Sequence, residues 1–302
     1  MSQRKGVILV LLASVFFGLE GIFSKLAYAS GVTYLSTVTL RALFAGFVLL
    51  IVIALARINF KVPKKLIGFL GLLTVLFTVN GASLYKALEL LPASLAILFF
   101  YSFPVFTCLF DYLIKKERLD QRKLLALALS LSGLALLQFS SLGTLPLSGV
   151  LFAFTASLAN ALFMVLSPLI LKEIHELTLT CWMFIGSAVF YLLIGGWTGS
   201  LDFSSLTLQG WIYLILLGLI STAAANVALI YGLGAVGSST AAIVQTLEPV
   251  VTAVLAFLVF KERLSGWQLL GAMLVIAAVI LPNLNVEDQR KNKKVQEVQK
   301  NA

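Results

Sequence analysis

Apolar runs of about twenty residues, separated by short polar interruptions, follow one another from residue 6 to residue 282. A run of about 18 or more apolar residues has the length of a membrane-crossing helix, not of an ordinary core helix. The pattern predicts spans at 6–28, 33–55, 65–87, 92–113, 122–139, 147–171, 177–198, 210–234, 238–260 and 265–282, ten in all. Alternating segments of about ten residues, the mark of barrel strands, are not seen. No soluble domain interrupts the spans, and the polar, lysine-rich residues 284–302 read as a disordered tail on a membrane surface. Arg4 and Lys5 precede a first run ending in Ala27-Tyr28-Ala29, as in a secretory leader, but its length and the charges Glu20 and Lys25 favour a retained span.

The chain is doubled. Pro104 precedes Lys116-Glu117-Arg118-Leu119, and 145 residues later Pro249 precedes Lys261-Glu262-Arg263-Leu264. Over residues 92–136 and 237–281, fourteen of 45 positions are identical at that offset, including Thr107 with Thr252. The division expected is one five-helix repeat in 1–140 and a second in 146–283. Five is odd, so the second repeat enters the membrane upside down. The fold class expected is an all-α integral membrane protein built as two inverted repeats, an architecture that secondary transporters use with the substrate at the repeat interface.

Composition agrees: 60% of residues are hydrophobic and 12% charged, where soluble domains carry about 25% charged residues. The net charge of +9 is not the footprint of a nucleic-acid partner, because it is concentrated in short loops. With the N-terminus inside, the inner segments hold Arg4, Lys5, Arg57, Lys61, Lys64, Lys65, Lys115, Lys116, Arg118, Arg122, Lys123, Lys172 and the tail. The outer ones hold only Lys86, Lys261 and Arg263. That asymmetry places both termini in the cytoplasm. Trp197, Trp211 and Trp267 fall at outer span ends, where indole rings settle. Cys108 and Cys181 lie inside apolar runs and read as packing residues.

Ionisable residues inside a bilayer are costly, so each needs a reason. At about 1.5 Å of rise per residue, Glu20 and Arg41 come to similar depths below the outer face on neighbouring spans, and an ion pair is expected between them. Such a pair serves equally as a structural clamp or as part of a substrate or proton site. Lys25 is near enough to its span end to reach the interface. Glu248 lies near the midplane, followed by Pro249, which breaks a helix, with Gln245 one turn earlier. Asn80, Tyr85, Tyr101, Ser157, Asn160 and Asn226 add a polar lining, each also able to serve only as an interhelical hydrogen bond. Ala153, Ser157 and Ala161 read as a close-packing stripe. His175 stands alone and reads as a loop residue. No phosphate loop, metal set or nucleophile elbow is found, so no cofactor or metal is expected and the chain is not read as an enzyme.

Taken together these residues resemble the drug/metabolite transporter superfamily, in its ten-helix EamA-type branch. The resemblance covers residues 6–282. It rests on Gly18 and Lys25, Arg41, Tyr85-Lys86-Ala87-Leu88, and above all the doubled spacing from Pro104 to Glu117-Arg118-Leu119 and from Leu247-Glu248-Pro249 to Glu262-Arg263-Leu264. It departs where the family usually has Trp-Gly followed by a small or amide residue: here Phe17 stands for the Trp, and position 20 is Glu. A first-helix Glu also resembles the four-helix small multidrug resistance proteins, where it couples drug to protons. The resemblance implies a secondary transporter of the cell membrane, similar to exporters of amino acids and other small organic metabolites, working by alternating access. Glu248, Gln245, Arg41, Tyr101, Asn160, Asn226, Asn80 and Tyr85 are the candidate substrate contacts; Glu20 or Glu248 would carry a coupling proton. The alternative is a proton-coupled multidrug exporter of lipophilic cations centred on Glu20; a membrane enzyme or a channel is a third reading. The partners expected are a small-molecule substrate, the lipid bilayer and protons, without nucleic acid. A homodimer is the remaining candidate, since the fifth and tenth spans are poor in polar residues.

Overall fold

The computed structural model describes residues 2–91, 93–116, 121–137, 146–204, 206–261 and 265–281. The expected tail and the Glu-Arg-Leu parts of the doubled block lie outside them. Among the described residues the regular structure is helical throughout. The helices are α1 (Gln3–Tyr28), α2 (Tyr34–Leu55), α3 (Ile67–Leu90), α4 (Ala93–Phe100), α5 (Phe103–Lys115), α6 (Gln121–Leu137) and α7 (Leu147–Ile170). They continue with α8 (Glu176–Thr198), α9 (Leu208–Leu216), α10 (Ala225–Val236), α11 (Ser238–Gln245), α12 (Glu248–Phe260) and α13 (Gly266–Ile280). Among the described residues, eight helical segments are long and apolar enough to cross a membrane. The predicted fifth and tenth spans correspond to shorter helices, α6 with 17 residues and α13 with 15.

Local chemistry sets the boundaries. Ser2, Thr33, Thr207 and Ser265 cap α1, α2, α9 and α13 through side-chain oxygens that accept free backbone N–H groups. His175 does the same for α8: its Nδ1 accepts from the Leu177 N–H at 3.2 Å. Two predicted spans are broken at matching places. The chain turns at Tyr101-Ser102 and again at Thr246-Leu247, and Pro104 and Pro249 sit in the first turn of the helix that follows. There a proline's missing N–H costs nothing, because the first-turn N–H groups have no intrahelical partner. The doubled lysines also match: Lys116 and Lys261 close α5 and α12 with φ of 59° and 56°, in the left-handed region.

Lipid offers helices no hydrophobic drive to associate, so they meet where small residues let backbones approach. α6 crosses α13 at Gly133 and Gly271: a Cβ on Gly271 would lie 2.5 Å from the Gly133 carbonyl oxygen. The fifth and tenth spans thus pack on each other, while Leu124, Leu125, Leu269, Leu270 and Met273 stay exposed on their outer faces. Gly6 of α1 lies against Gly232, Ala235 and Val236 of α10, which puts residue 6 and the end of α10 at one end of the bundle. Gly18 and Gly21 meet Val251 and Thr252, so α12 runs towards the opposite end, where Tyr28 lies. α7 packs on α3 much as α1 packs on α10, and α2 packs on α8. Ala153, Ser157 and Ala161 are fully buried, in keeping with a packing stripe. Leu193, Trp197 and Trp267 are among the large apolar side chains on the outer surface.

Candidate functional site

A cavity of about 940 Å³ opens between α1, α2, α3, α10 and the α11–α12 break. It gathers Glu20, Arg41, Asn80, Tyr85, Asn160, Asn226, Gln245 and Glu248. Towards the residue-6 end it stops at Gln245 on α11 and Phe163 on α7; towards the other end it reaches Tyr28, Tyr34, Glu89 and Gln268. Of the candidate contacts, Tyr101 alone is not in the lining. It is 1% exposed and sits behind the wall, its hydroxyl towards the Glu248 carboxyl but outside regular hydrogen-bond geometry.

One wall carries a closed polar cluster. Arg41 pairs with Glu20, and the same guanidinium nitrogen donates to the Tyr85 hydroxyl at 2.6 Å. That hydroxyl donates to Glu20 Oε1 at 2.8 Å, and the guanidinium lies 5.3 Å from the Tyr85 ring centroid. Glu20 and Arg41 meet as their matching depths require, and Tyr85 is the third member. Both charges are largely buried, with side chains 21% and 14% exposed, so removing either leaves the other poorly solvated.

The rest of the lining offers acceptors. Glu248 occupies the first turn of α12, where free backbone N–H groups favour a negative charge. Arg41 is near enough to act on it electrostatically, but its close contacts are with Glu20 and Tyr85. Gln245 Oε1 and Asn80 Oδ1 are buried without a partner, while Asn80 Nδ2 donates to Asn160 Oδ1 at 3.3 Å. Buried polar atoms are nearly always satisfied, so unpaired ones lining a cavity mark places for ligand or water. Asn226 is tied back to the Thr222 carbonyl at 2.9 Å. It follows a π-helical stretch, Leu217–Ala224, that no periodicity in the sequence announced and that often marks functional sites. The walls are aromatic: Phe17, Phe77, Phe100, Phe103, Phe163 and Phe184.

The lining also holds residues that were not among the candidate substrate contacts. Lys25, assigned to the interface, lines the cavity, as do Tyr191, Thr252 and Gln268. Aromatic and hydroxyl residues of this kind are too common in membrane helices to be picked out without knowing which face they occupy.

The EamA-like transporter family matches residues 4–139 and 147–284. The chain belongs to the EamA-like transporter family. It is a multi-pass membrane transporter. An uncharacterized transporter of Clostridium kluyveri is 24% identical over 99% of this chain and 98% of its own length. One of Archaeoglobus fulgidus is 28% identical over 92% and 96%. A solved crystal structure shares the fold with a TM-score of 0.82, covering 92% of this chain and 98% of that one at 16% identity.

Proposed function

We propose that this EamA-like protein is a secondary transporter that exports small organic compounds bearing an amino group, amino acids and related metabolites first, across the cell membrane by alternating access. The observation that carries the reading is the cavity that reaches one end of the bundle only, whose lining holds a carboxylate, Glu248, and unpaired amide oxygens beside the Arg41 pair. Acceptors of that kind suit an ammonium group, and the aromatic walls suit an apolar side chain or body. Ten helices in two inverted five-helix repeats complete the proposal. Its supports are the breaks at 101–102 and 246–247, the left-handed lysines 145 residues apart, and helix pairings that recur when the halves are exchanged. The loop charges support an orientation with both termini in the cytoplasm, in which the cavity faces outwards. Glu248 binds the amino group with Gln245 and Asn80. Because Glu20 is engaged by Arg41 and Tyr85, Glu248 is the one to exchange a coupling proton.

Transport in proteoliposomes, with and without a pH gradient, tests this. Amino-acid flux that depends on Glu248 and falls in Glu248→Gln is expected; flux and pH response unchanged in both Glu248→Gln and Glu20→Gln would remove the mechanism. A second reading, a proton-coupled exporter of lipophilic cations, is favoured by the aromatic walls around Glu20 and Glu248. Flux of tetraphenylphosphonium with no amino-acid flux would select it.

A further inference from the structure

Asp111 is a carboxylate that the cavity does not use, and it is 1% exposed inside the bundle. It lies on α5, and its partners belong to the start of α11. Ser238 Oγ donates to one carboxylate oxygen at 2.6 Å; the Ser239 N–H donates to the other at 2.9 Å, joined there by the Ser239 hydroxyl. Lys115 adds an ion pair at 3.0 Å and donates to Ser238 Oγ at 2.7 Å. A buried carboxylate persists only when its lone pairs are answered, and here both oxygens are. The cluster lies at the residue-6 end, since Ser238 follows directly on the part of α10 that meets Gly6.

The element it holds is short and bounded by breaks. α11 has eight residues, all buried. Gly237, with φ of 82°, separates it from α10, and the Thr246-Leu247 turn separates it from α12. Its far end carries Gln245, with Glu248 just beyond the turn, both on the cavity. One rod, about 12 Å long by helical rise, thus joins the Asp111 cluster to the floor of the cavity. The second half has no counterpart: the residue 145 positions after Asp111 is Ala256, and it lines the cavity towards the end that is open.

We propose that Asp111, with Ser238, Ser239 and Lys115, is a one-sided latch: it holds α11 in place and shuts the cavity at the residue-6 end, and its release lets α11 swing about Gly237 and the 246–247 turn to open that end. The proposal rests on the cavity being the transport site, but its test reads accessibility and needs no substrate. Single cysteines are placed by Ala242→Cys, in the buried middle of α11, and by Ala256→Cys, in a background of Cys108→Ser and Cys181→Ala. A membrane-impermeant maleimide is applied to each face of the membrane in turn. In Asp111→Ala, labelling at position 242 from the residue-6 face should rise about tenfold or more, because hydrogen bonds to a charged group are worth at least that. Labelling at 256 from the other face should fall, since opening one end closes the other. Unchanged rates at both positions, or a rise at both as in a loosened bundle, would overturn the latch. If Asp111→Ala does not fold, the double change Ser238→Ala and Ser239→Ala keeps the carboxylate while removing the hydroxyl ties, and the same opposed shifts are required of it.

Discussion

Replacing Glu20 by Gln keeps the shape of the side chain and removes its charge. Arg41 is then left with a neutral acceptor and the Tyr85 hydroxyl, in a setting where its side chain is 14% exposed. Breaking a fully buried pair costs about 3–5 kcal/mol; water in the cavity softens this, so about 2–3 kcal/mol is the expected loss. Arg41→Gln should cost a similar amount by stranding Glu20. Changing both to Gln removes both charges, and the double variant should stand within about 1 kcal/mol of the parent instead of losing the sum. Tyr85→Phe deletes the hydroxyl that bonds to both, at 2.6 and 2.8 Å, and should cost about 1.5–3 kcal/mol. Thermal unfolding in detergent, followed by tryptophan fluorescence, reads the cycle. At about 2 °C per kcal/mol for a chain of this size, each single charge removal should lower the midpoint by several degrees. Single variants that melt with the parent, or a double variant that loses the sum of the two, would refute the view that the two residues are energetically joined.

Other outcomes follow from particular contacts. Gly271→Ala places a Cβ 2.5 Å from the Gly133 carbonyl oxygen and 2.8 Å from the Leu137 nitrogen; overpacking should cost about 1–3 kcal/mol, read as a lower melting midpoint with α6 and α13 forced apart. Asp202, in the loop after α8, accepts from the Ser204 hydroxyl at 2.7 Å and the Ser204 N–H at 2.9 Å, which hold its carboxyl below the ordinary value. Its contribution to loop order is therefore present above the unfolded pKa and lost as pH falls through the lower folded one. NMR titration should show Ser204→Ala moving it back up. Pro249→Ala should leave the fold intact, because Pro249 sits in a first turn where its missing N–H is not needed; circular dichroism and melting should match the parent.

Much of this architecture was legible because the bilayer imposes it. Span length, loop charge and the 145-residue doubling each have one physical cause, and eight of the ten span positions read from the sequence match helical segments long enough to cross a membrane. Depth along a helix is arithmetic, which is why the sequence alone pairs Glu20 with Arg41. Which neighbour completes a cluster depends on helix rotation, and hydropathy does not encode rotation. Tyr85 was placed on the lining without its role in the ion pair, and Tyr101 was placed there although it packs behind Glu248. Asp111 lay two residues inside a predicted span end, where a charge reads as ordinary; only the approach of Ser238 and Ser239, 127 and 128 residues away, makes it distinctive. The π-helical stretch before Asn226 is a hydrogen-bonding event in an otherwise regular apolar run, and its residues carry no sign of it.

The central claim is that the cavity between the Arg41 wall and Glu248 is the path of the substrate. Ala253→Cys, on its lining, in a background of Cys108→Ser and Cys181→Ala, can be modified from the open end with a bulky impermeant thiol reagent while amino-acid flux is followed in proteoliposomes. Loss of flux in proportion to modification, with bound amino acid slowing the modification, is the result predicted; complete modification with undiminished flux would contradict the account.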